Sequence, residues 1–161
     1  MAASGNGPTR ARAFFHDVRE AAISIQRVRR QLEALDDSAR YGVGSGIHER
    51  VSTSGNNVER RTISYADQSE KLEARMDRDY RLIDIACCVL YGPDQDGTGG
   101  LSAYKASVYA DVIWWRYVAA EAWKRISSCM DLSVSQCQRL CKDGLAAIDK
   151  LGLVPSDLPE P

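Results

Sequence analysis

Residues 114–148 read WWRYVAAEAWKRISSCMDLSVSQCQRLCKDGLAAI, and this stretch decides the fold. Two short helical patterns flank a break at Met130-Asp131-Leu132-Ser133. The spacing predicts a supporting helix from Ala120 to Met130, with Trp123, Ile126 and Met130 turned toward a core. Asp131 occupies the turn, where Asp tolerates the required backbone conformations. Ser133 opens the second helix, and Gln136 three residues on completes a Ser-x-x-Gln capping box. Val134, Cys137, Cys141, Leu145 and Ile148 make its apolar stripe. This is the pattern of a helix-turn-helix, whose second helix typically enters a DNA groove.

The polar residues of that second helix are the candidate DNA contacts: Ser133, Ser135, Gln136, Gln138, Arg139 and Lys142. Gln pairs bidentately with adenine, Arg with guanine, and Ser with either. Free N–H groups at the helix start suit a phosphate oxygen. Arg139 and Lys142, with Lys124 or Arg125, would neutralise phosphates, which positions a protein without reading sequence. The plain alternative is a helical hairpin with a solvated polar face. Gly144 stands out, since Gly inside a helix costs about 1 kcal/mol relative to Ala. Close packing against Trp114 or Trp115 would account for it.

Working outward, the N-terminal half reads as a long helical hairpin over residues 10–91. A helix is expected from Arg10 to Asp36. Its seam of Phe14, Val18, Ala21, Ile25, Val28, Leu32 and Leu35 alternates four and three, as in a coiled coil. Residues 37–57 hold four glycines among Ser, Thr and Asn, the composition of a flexible loop. Asn56 and Glu59 resemble a capping box for a second helix from Val58 to Leu90. Its seam is Met76, Tyr80, Ile83, Cys87 and Leu90. An antiparallel hairpin within the chain would bury both seams and pair opposite charges at its flanks. A homodimer through the N-terminal helices is the competing arrangement. Residues 92–100, GPDQDGTGG, read as a linker, and 101–150 as the helix-turn-helix domain, entered by a helical pattern through Ala120. Residues 1–9 and 151–161 read as disordered tails. No segment shows sustained strand alternation, so the expected fold class is all-α.

Composition narrows the function. Hydrophobic residues make up 44% of the 161 and charged residues 27%, enough to bury a core. The net charge of −1 hides segregation, with residues 101–150 carrying seven basic against five acidic residues. DNA-binding domains are usually more basic, so modest affinity or help from a partner is expected. The longest apolar runs are too short to span a bilayer. No basic start leads into an apolar run, so the expected location is the cytoplasm. The five cysteines include no C-x-x-C pair, and neither His16 nor His48 is near them in sequence. No zinc site and no cofactor are therefore expected, and the thiols read as buried, reduced core residues. Asp94 to Gly99 resembles a calcium loop only faintly, because position twelve is Lys105 rather than Glu. No nucleophile–base pattern or phosphate loop is present, so the chain reads as a non-enzyme.

Arg116-Tyr117-Val118, Trp123-Lys124-Arg125-Ile126-Ser127 and Leu132-Ser133-Val134-Ser135 resemble region four of bacterial sigma factors. They are closer still to sigma-like phage and prophage regulators of the RinA and ArpU type. Ser127 stands where Ala is usual, Asp131 where Gly is common, and Cys141 and Gly144 where His and Ala are usual. The resemblance implies a phage-encoded regulator of late or packaging genes in a bacterial host. It implies double-stranded DNA as a partner, with RNA polymerase as a second. The alternatives from other classes are a packaging protein like a small terminase subunit, and a helical adaptor without DNA binding.

Overall fold

The computed structural model describes residues 9–41 and 55–158, without the side chains of 55–59 and 61. The protein is all-α, with no strand among the described residues. In order come α1 (Arg10–Tyr41), α2 (Gly55–Tyr91), α3 (Gly100–Tyr104) and α4 (Ser107–Ile113). A π-helical turn (Trp114–Val118) follows, then α5 (Trp123–Met130) and α6 (Val134–Leu151). No described helix is long and apolar enough to cross a membrane.

The seam of α1 is buried as its spacing requires: Phe14, Val18, Ala21, Ile25 and Val28 are all within the core. It packs antiparallel on α2 within the chain, with Arg29 donating to the Tyr80 hydroxyl across the pair. The first helix outruns its expected end at Asp36, reaching Tyr41, and the second starts at Gly55 rather than Val58. Alanine, arginine and serine after Asp36 carry no helix breaker, so the helix continues to the first glycines. Of the flexible loop expected at 37–57, residues 37–41 and 55–57 are helical, and 42–54 lie outside the described residues. The side chains of the Asn56–Glu59 capping box and the tail at 1–8 also fall outside them. The expected charge pairing along the hairpin is not what holds it. The one ion pair among the described residues, Arg40 with Asp36 at 2.8 Å, lies within α1 and is exposed.

The expected linker at 92–100 is a compact turn. Gly97 and Gly99 both donate their N–H to the Tyr91 carbonyl. Gly92 has φ +94, and a Cβ there would lie 2.6 Å from the Gly99 Cα, so only glycine fits this crossing. Ser102 then donates to the Leu90 carbonyl at 3.0 Å, and Tyr91 to Asp111 at 2.8 Å. As a result one core runs through the molecule. Phe15 of α1, Leu90 of α2, Leu101 of α3, Ile113 of α4, Ile126 of α5 and Ile148 of α6 all belong to it.

The helical pattern after Leu101 is interrupted. It ends at Tyr104, restarts at Ser107, widens into the π-turn and stops at Ala120, whose φ is +57. The supporting helix therefore begins at Trp123 rather than Ala120. The C-terminal segment is likewise no free tail as far as Leu158. Val154 is buried, and Arg10 donates to the Pro155 carbonyl at 2.6 Å.

A candidate nucleic-acid interface

Helices α5 and α6 are joined by a short turn at the break the sequence predicts. Asp131 ends α5 in the left-handed region, at φ 52 and ψ 41. Ser127 donates its hydroxyl to the Leu132 carbonyl at 2.5 Å, which ties the turn to the end of α5. Ser133 caps α6. Its Oγ accepts from the Gln136 N–H at 3.2 Å, and its own N–H donates to Gln136 Oε1 at 2.9 Å. The reciprocal box satisfies two N–H groups at the start of α6.

The stripe of α6 is buried at Cys137, Cys141, Leu145 and Ile148, with Gly144 among them. Val134 departs from the expected stripe and is 37% exposed, because the first turn of α6 projects beyond the core. In α5 only Ile126 is buried; Trp123 and Met130 are half-buried. Gly144 makes a close approach, but not to the tryptophans. A Cβ there would meet Ile113 Cδ1 at 2.8 Å, with Leu101 and Tyr109 next. The missing side chain lets α4 lie against α6.

All six candidate residues, Ser133, Ser135, Gln136, Gln138, Arg139 and Lys142, are exposed. They occupy the first three turns of α6, away from its buried stripe. Lys124 and Arg125 are exposed on the first turn of α5. Gln136 has its side-chain oxygen engaged by the cap, which leaves its NH₂ as the free group. Asp143 is also exposed on α6, a negative charge beside Arg139 and Lys142.

Three features of this region escape sequence reading, because their partners lie about a hundred residues away. Asp149 of α6 accepts the Ala11 N–H at 2.7 Å, so it caps α1 from outside and anchors the hairpin to the helix-turn-helix. Arg19 of α1 donates to the Arg116 carbonyl and, at 3.4 Å, to that of Glu121. Burial and the neighbouring Arg116 hold the Arg19 pKa below its ordinary value. Arg116 in turn lies 4.7 Å from the Trp123 ring centroid and donates to the Glu121 carbonyl at 2.9 Å. Third, Arg12 of α1 shares a cleft with Gln138 and Lys142 of α6. Nothing in the spacing of the N-terminal helix placed Arg12 there.

The thiols divide. Cys137 and Cys141 are buried, Cys87 and Cys88 half-buried, while Cys129 is exposed and so departs from the expected core role. Burial pushes Cys141 up to about 11, and the Tyr117 hydroxyl bonded to it is raised by burial as well. No group of acidic, His and Cys side chains suited to a metal exists among the described residues. Asp96 accepts from the Thr98 N–H and hydroxyl at 2.9 and 2.7 Å, a plain turn. No family model, curated protein or solved structure matches the chain.

Proposed function

We propose that this protein is a sigma-like DNA-binding transcriptional regulator of phage origin, with α6 as the helix that enters the major groove. The observation that carries the reading is the capped α5–turn–α6 unit with six exposed polar residues on the leading turns of α6. Gln138 and Ser135 face outward with groups suited to base edges, and Arg139 and Lys142 with groups suited to guanine and phosphate. Nothing in the geometry suggests chemistry on a substrate, and the reading is that of a non-enzyme. The resemblance to RinA- and ArpU-type regulators supports late or packaging genes as the target and RNA polymerase as the second partner.

The fold also bears on affinity. Asp143 and the engaged oxygen of Gln136 weaken the reading face, whereas Arg12 adds to it from α1. A modest binder results, and a homodimer through the N-terminal helices would raise its occupancy. Since the seams of α1 and α2 are used within the chain, such a dimer would employ their outer faces.

The test is fluorescence anisotropy with a labelled random-sequence duplex across a salt series. Binding should weaken steeply with salt. Arg139→Ala and Lys142→Ala should each lower the salt slope by about 1, the contribution of one phosphate contact. An absence of binding at low salt, or indifference to both substitutions, rejects the reading.

A further inference from the structure

Between the start of α1 and the flank of α6 lies a cleft of about 410 Å³. Tyr117, Trp123 and Leu145 are among its lining residues, together with the polar Arg12, Lys142 and Gln138. We infer that this cleft binds a small ligand with a flat apolar body and one anionic group, an aromatic carboxylate in chemical class. The volume and the largely apolar lining are those of a small-molecule site, with a few polar groups to orient the guest.

Charge complementarity selects the anion. No acidic residue among the described ones lines the cleft. Neither Arg12 nor Lys142 has an ion-pair partner among the described residues. Both are exposed on their own helices, yet converge from positions 130 residues apart in the chain. Burial raises the Cys141 thiol on the wall to about 11, so it stays protonated and offers no competing anion. A bare phosphate would use the cations and leave two aromatic rings and Leu145 unused; an aromatic acid uses all of them.

One consequence follows, and unlike the site itself it rests on the DNA reading. Gln138 and Lys142 belong to both surfaces. A guest that neutralises Lys142 and Arg12 removes positive charge from the reading face, so ligand and DNA oppose each other.

Calorimetric titration of the full chain with naphthoate, and with naphthylmethanol as its neutral counterpart, tests the site. Naphthoate should bind at one site about tenfold tighter than the alcohol, the effect of a charge-assisted contact. Arg12→Gln and Lys142→Gln should each remove most of that difference. Ala146→Trp, at an exposed position on the wall, should fill the cleft and abolish both, with folding checked by circular dichroism. The inference is overturned if neither compound binds saturably, if acid and alcohol bind alike, or if binding survives Ala146→Trp. It is also overturned if naphthoate fails while Arg12→Gln weakens DNA binding, which would make the cleft a seat for a backbone phosphate. Naphthoate binding with no DNA binding under any condition would leave the site standing and remove the DNA reading instead.

Discussion

Ala11 to Val28 and Arg29 to Tyr41 belong to one uninterrupted helix with one four–three seam, but they have different surroundings. In the first half the seam meets α2, while the neighbouring face meets the π-turn and α6, so Phe14, Phe15, Val18 and Val28 are at most 2% exposed. In the second half only α2 is present. Leu32 and Leu35 are half-buried there, and Tyr41 is 76% exposed. Helix α2 mirrors this, from a buried Leu90 to Ile63 at 62% exposure. A groove of about 480 Å³ opens between Leu35 and Leu72 on the distal arm. The heptad period thus tells which face of a helix is apolar. It does not tell how many neighbours will cover it, and burial energy follows the neighbours.

The largest effect should separate the two halves directly. Phe15 is fully buried, 5.1 Å from the Phe14 ring and 5.6 Å from that of Tyr117. Phe15→Ala should cost about 3–5 kcal/mol, the usual range for a buried aromatic. Leu35→Ala, on the same seam, should cost less than about 1 kcal/mol, since the residue is already partly hydrated. Urea unfolding of both variants measures this. Equal costs would mean that the arm is covered in solution, and the contrast would then describe the isolated chain only.

A smaller effect lies in the buried thiol of the core end. Folding raises Cys141 to about 11, above the ordinary value that it regains on unfolding. Below pH 9 both states hold the proton and the residue contributes no pH dependence. Above it the unfolded chain loses the proton first, so stability falls as pH rises from 9 toward 11. The loss should reach about 2 kcal/mol at the upper end. Melting temperatures over this range should flatten in Cys141→Ala relative to the parent.

How far the sequence carried the fold differs between the two regions in the same way. The seams, the all-α class and the Ser133 capping box were legible, because each depends on residues within one or two turns of one another. The compact turn at 92–100 was not, since Gly92 and Gly99 press together only when α2 and α3 meet. The π-turn and the left-handed Ala120 were invisible for a related reason. They are held by Arg19, which reaches two carbonyls about a hundred residues away. The exposure of the six polar residues on α6 was legible from its apolar stripe. The place of Arg12 in a cleft with Gln138 and Lys142 was not, because only the packing of α1 on α6 brings it there.

Two serines test the contrast at a finer scale. Ser133→Ala removes the cap of α6 and should cost about 1 kcal/mol. It should also loosen the first turn, and with it any DNA contact made there. In the arm, Ser38 donates only to the Ala34 carbonyl one turn back, at 2.8 Å, and is exposed. Ser38→Ala should change stability by less than about 0.5 kcal/mol, with gain the favoured sign because Ala is the better helix former. Thermal melts resolve the pair. A costly Ser38→Ala would show that the arm is packed on its outer face.

Glycine substitutions should reverse sign between the regions. Asp131 holds φ 52 in the turn, where an L-residue is strained and glycine is not. Asp131→Gly should therefore stabilise by about 0.5 kcal/mol, the relief of strain being partly offset by the greater freedom of glycine in the unfolded chain. In the arm, Ala39 is helical and exposed, so Ala39→Gly should destabilise by up to about 1 kcal/mol. Removing Asp131 also takes a carboxylate from beside the start of α6, so under the proposed DNA reading affinity should rise together with the melting temperature. A lower melting temperature for Asp131→Gly would mean that its side chain, and not its backbone conformation, is what the turn uses.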